Sequence, residues 1–152
     1  MAENFRLARL YLVLLAIFTV GRLSMSGAGV PYEHGHQVFS LVILTALSCL
    51  YYGAFCRRWR GFRVLRAMGL AAMFGLISQS VILLATVGSY GLGVNTYFTH
   101  PTALQADAPL PFAQALVARI QGLVGNTIMS GIVGALGWAL GGLLPAEVSA
   151  TQ

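Results

Sequence analysis

Three histidines, His34, His36 and His100, together with Glu33 and Asp107, are the residues of this sequence best suited to holding a metal. Imidazole and carboxylate together suit zinc or copper. A His-Gly-His spacing is a weak signal, and ligands drawn from separate loops need a fold that unites them. The simpler reading leaves all three histidines as polar loop residues, with His36 near a helix start, and expects no metal and no cofactor. Haem held between helices would need histidines facing one another inside apolar segments, which contain none. Serine, histidine and acid never stand in a recognisable nucleophilic arrangement, so no catalytic residue is assigned and the protein is read as non-enzymatic. The Gly-Leu-Gly after Tyr90 follows a helix end and reads as a helix stop rather than a nucleotide loop.

All nine basic residues are arginine, and lysine is absent. Schiff-base chemistry, which needs a lysine amine, is thereby excluded. The net charge of +5 would suggest nucleic acid in a soluble protein, but these arginines cluster beside apolar segments, as membrane orientation requires. No nucleic-acid partner is expected. Cys49 and Cys56 lie along one helix at a separation of about 10 Å, beyond disulfide reach, and read as small apolar residues.

The elements that must position these residues are apolar. Only 9% of the 152 residues are charged, against roughly 25% in a soluble domain, which is too little to coat a water-facing surface. The pattern predicts an all-α, polytopic fold in one domain, with four transmembrane helices near 7–23, 38–55, 67–90 and 122–144. A helix free of proline can begin as early as Phe112, after Pro109 and Pro111, and run to Pro145, with Arg119 and Gln121 at the outer headgroups. A signal peptide is the rival reading of the first segment, on Arg6, Arg9 and the small residues Ser26, Gly27 and Ala28; the retained helix is expected.

Arg57, Arg58, Arg60, Arg63 and Arg66 fall in the connection 56–66, which the positive-inside rule assigns to the cytoplasm. Arg6 and Arg9 join them, so seven basic residues lie inside and Arg22 and Arg119 remain outside with Glu33 and Asp107. Both termini are then expected inside, in the cell membrane, with outer loops at 24–37 and 91–111. Trp59 and Trp138 suit the interfacial aromatic belt. The run holding Arg57, Arg58, Trp59, Arg60, Arg63 and Arg66 also suits contact with anionic lipid or an acidic partner.

Polar residues inside the spans form stripes. Gly75, Gln79, Thr86 and Ser89 share a face of the third segment; Gly122, Asn126, Ser130, Gly134, Gly137 and Gly141 share one of the fourth. Small residues at such spacing let helices approach closely, and an amide or hydroxyl among them bonds the neighbour. Helix packing through Asn126, Ser130, Gly134, Gly137, Gly141 and Gln79 is therefore expected. The leading functional expectation is a subunit or self-associating component of a membrane complex, packed through the fourth helix against itself or other subunits. The alternatives are a small oligomeric channel or permease for an uncharged or weakly charged solute, and an outer-face metal- or cofactor-binding protein.

Overall fold

The computed structural model describes residues 2–144, with side chains from residue 7 onward. Pro145, expected to stop the last helix, and the side chain of Arg6 lie outside what is described. Among the described residues there are only helices: α1 (Ala2–Gly27), the single turn α2 (Tyr32–Gly35), α3 (Leu41–Arg60), α4 (Val64–Gly91), a 3-10 turn (Pro101–Leu104) and α5 (Phe112–Gly141). Four of them, counting α1 from Leu7, are long and apolar enough to cross a membrane. Among the described residues the fold is all-helical, and its four long apolar helices are compatible with a multi-pass membrane protein.

Local chemistry sets the helix ends. The Ser40 hydroxyl accepts from the Ile43 amide at 3.4 Å and starts α3, using one of the amides that a first turn leaves unpaired. Gly61, at φ 62°, ends it in the left-handed region, and the Phe62 amide turns back to the Cys56 carbonyl at 3.0 Å. This cap corrects one boundary. Arg57, Arg58 and Arg60 belong to the last turn of α3 and Arg66 to the start of α4, so the expected loop 56–66 shrinks to residues 61–63. Pro111 precedes the first residue of α5, where a missing amide hydrogen costs nothing, and the helix runs from Phe112, the earliest start that the proline-free run allowed, to Gly141.

The helices alternate in direction. The connections 28–40 and 92–111 therefore share one end of the bundle, here the loop end, while residues 61–63 and the close of α5 share the arginine end. Helix α5 packs closely on both α3 and α4, and α1 lies to the side against those two. The centre is aromatic: Tyr11 stacks on Phe74 with ring centres 4.3 Å apart. Its hydroxyl also donates to the Phe74 carbonyl and meets the Thr45 hydroxyl, each at 3.0 Å. A buried hydroxyl left without partners would destabilise the core; here the proton is taken by the Phe74 carbonyl and the Thr45 hydroxyl lies alongside.

The glycine stripe sets the spacing of α5 from its neighbours. A Cβ on Gly137 would fall on the Leu50 carbonyl oxygen, one on Gly141 on that of Ala54, and one on Gly134 on the Ala71 methyl. Gly53 of α3 faces the Gly134 carbonyl in turn, and Gly75 of α4 faces Ser130. These close approaches between α3 and α5 lie in the half of the bundle nearer the arginine end.

Candidate functional site

Toward the loop end α3 and α5 no longer meet through glycines, and two adjoining cavities of about 190 Å³ and 590 Å³ lie among the helices. Val42, Ile82, Ala103 and Arg119 line both. The smaller is walled by Arg22 of α1, Tyr32 and His36 from the first loop, and Tyr97 and Phe98 from the second. The larger descends between α4 and α5 to Gln79 and Asn126, with exposed Gln105 and Gln121 near its rim.

Its charge is unusual. Arg22 is only 9% exposed, and its guanidinium donates to the His36 carbonyl at 3.0 Å. The same group sits over the rings of Tyr97 and Phe98, 5.5 and 5.6 Å from their centres. Arg119 donates through Nε to the Thr86 hydroxyl at 2.9 Å, through Nη1 to the Ala103 carbonyl at 3.1 Å and through Nη2 to the Phe98 carbonyl. Every partner is neutral. Among the described residues neither arginine pairs with a carboxylate, and Glu33 and Asp107, expected to accompany them, are exposed elsewhere. A guanidinium withdrawn from water loses hydration that neutral carbonyls and ring faces only partly replace, so two such groups on one cavity make it electropositive.

The loop end is built to hold them. The Tyr97 hydroxyl donates to the Val30 carbonyl at 2.7 Å, joining the two connections, and fills the space a side chain on Gly35 would need. Tyr90 ties α4 to the Leu110 carbonyl at 2.6 Å. Among the described residues, the two non-glycine residues with positive φ, Phe39 at 53° and Gln105 at 57°, both flank the cavities, where Phe39 sets its ring against Gly21 of α1. Left-handed backbone at such residues is maintained by the surrounding structure and concentrates near functional sites.

The residues expected from sequence divide. His36 and His100 both stack on Tyr32, the His100 ring 4.1 Å from it and the His36 ring 5.4 Å. His34 is exposed and apart, and no group of three metal-binding side chains forms among the described residues. Ser130, Gly134, Gly137 and Gly141 are buried against α3 and α4 of the same chain. Gln79 and Asn126 do not bond a neighbouring helix; they line the larger cavity. At the arginine end Arg57 reaches across to α5, Arg63 precedes α4, and Trp59 is exposed beside Phe55.

Arg119, expected at the outer headgroups, and Arg22, expected only to lie outside, were not legible in the sequence as site residues. The available signal was that each is an isolated cation within an apolar helix with no acid one turn away. Comparison of the chain with protein-family models, curated proteins and solved structures finds no match.

Proposed function

We propose that this chain is a non-enzymatic, multi-pass protein of the cell membrane that binds a small anion in the cavity at its loop end. One observation carries the reading: Arg22 and Arg119 line a single cavity without a carboxylate to offset either. An oxyanion would supply the missing charge, accepting from guanidinium donors whose planar fork suits carboxylate and phosphate. The positive-inside distribution of arginines supports termini in the cytoplasm and a cavity open to the outside. Assembly through the glycine face of α5 is not part of the proposal, because α3 and α4 cover that face.

The test is calorimetric titration of the purified protein in phosphatidylcholine nanodiscs with acetate and with inorganic phosphate. Saturable binding of either anion, weakened about tenfold or more in Arg22→Gln, is expected, the scale on which one charge-assisted hydrogen bond acts. Arg22 is the better site for substitution, since Arg119 also anchors the second loop. Binding indifferent to Arg22, or absent for both anions, rejects the proposal.

A further inference from the structure

Below the arginines the cavity changes character. Gln79 stands two turns deeper than Thr86 on α4, and Asn126 two turns deeper than Arg119 on α5. Because the helices are antiparallel and Thr86 bonds Arg119, the two amides reach the same level, about 10 Å below the guanidinium at 1.5 Å per residue. Gly122 leaves the space between them open: a Cβ there would lie 3.7 Å from Asn126 Nδ2 and 3.9 Å from Gln79 Oε1. Gln79 is 6% exposed, and the hydrogen bonds among the described residues engage neither amide. Asn126 is half-buried, and both amides open on the cavity; polar groups within an apolar span mark what such a cavity receives. Ile82, 6% exposed, lines the passage between the two levels.

We infer that the ligand has two polar ends, an oxyanion held by Arg22 and Arg119 and a neutral hydrogen-bonding group, a hydroxyl above all, that reaches Gln79 and Asn126. This rests on the anion reading and adds the class of molecule: a polyhydroxylated or similarly substituted small carboxylate. Amides both donate and accept but carry no charge, so they match a hydroxyl and gain nothing from a second anion or cation. The joined cavities fall within the size range of small-molecule sites. A lipid headgroup presents the same oxyanion chemistry, but its acyl chain would then run past the amides at the deep end, which it cannot satisfy.

Gluconate and hexanoate separate these cases, since both are six-carbon carboxylates and only the first carries hydroxyls. Each is titrated into the protein in phosphatidylcholine nanodiscs and, separately, in nanodiscs containing phosphatidylglycerol. The expected result is gluconate binding about tenfold or more tighter than hexanoate, the scale of one or two hydrogen bonds. Gln79→Met and Asn126→Leu should each shrink that ratio while leaving hexanoate binding in place, and Arg22→Gln should weaken both ligands. Equal affinities in the unmodified protein overturn the two-ended ligand but leave the anion site standing. Binding of neither compound, or binding that ignores Arg22, removes the anion site itself. Loss of gluconate binding only in phosphatidylglycerol, with hexanoate no weaker than gluconate in phosphatidylcholine, assigns the site to a lipid headgroup and overturns the inference.

Discussion

The Arg57 guanidinium lies 4.0 Å from the centre of the Trp138 ring and donates to the Trp138 and Ala139 carbonyls at 3.2 and 3.3 Å. A cation of the arginine cluster thereby meets the carbonyl-rich end of α5, where the helix dipole favours positive charge. Trp138 completes the clasp by donating from its indole to the Phe62 carbonyl at 2.7 Å. Arg57→Ala is expected to destabilise the protein by about 2 kcal/mol, combining a cation–π contact with charge-assisted hydrogen bonds. Arg63→Ala, at an exposed helix start, should change stability by less than about 0.5 kcal/mol. Thermal unfolding in detergent measures both; equal losses would mean that the clasp contributes nothing beyond charge.

The glycine face of α5 gives a second contrast. Gly134→Leu and Gly137→Leu must displace the Ala71 methyl and the Leu50 carbonyl and should cost about 1 to 3 kcal/mol or more. Leu136→Ala and Leu140→Ala, at positions 57% and 49% exposed, should cost less. Because the strip is filled from within the chain, the effect belongs to the monomer: its unfolding temperature falls at any protein concentration. Glycine variants that melt like the leucine variants would show that the close contacts do not determine stability.

Tyr11→Phe keeps the ring stack on Phe74 but removes the hydroxyl shared by the Thr45 side chain and the Phe74 carbonyl. A loss of about 1 to 2 kcal/mol is expected. An unchanged unfolding midpoint is the contrary result.

The histidines are expected to differ from one another. His34→Ala should be neutral within about 0.5 kcal/mol, whereas His100→Ala removes a ring stacked on Tyr32 and should cost about 1 kcal/mol. Unfolding of the two variants side by side decides; equal tolerance of both changes returns His100 to the status of a plain loop residue.

Orientation has a labelling test, but not on the native thiols, since Cys49 and Cys56 are both fully buried. Exposed positions serve instead. Arg60→Cys should resist an impermeant thiol reagent applied to whole cells, and Asp107→Cys should react. The reverse pattern would invert the proposed topology.

What the sequence determined alone follows from one-dimensional patterns. Apolar runs of sufficient length, bounded by prolines, glycine and arginines, specify the helices, because hydropathy and backbone breaking are properties of neighbours along the chain. The small-residue stripe at Ser130, Gly134, Gly137 and Gly141 was equally legible as a close-packing face, but its partner was not, since a stripe records the room it leaves and not whose backbone occupies it. Only the tertiary structure brought Arg22 and Arg119 to one cavity and turned Gln79 and Asn126 from packing residues into its lining. Those residues come from three different helices, and their meeting depends on α3 and α5 touching at Leu50 and Gly137 while leaving space beside Val42 and Gly122, a geometry that no local spacing encodes.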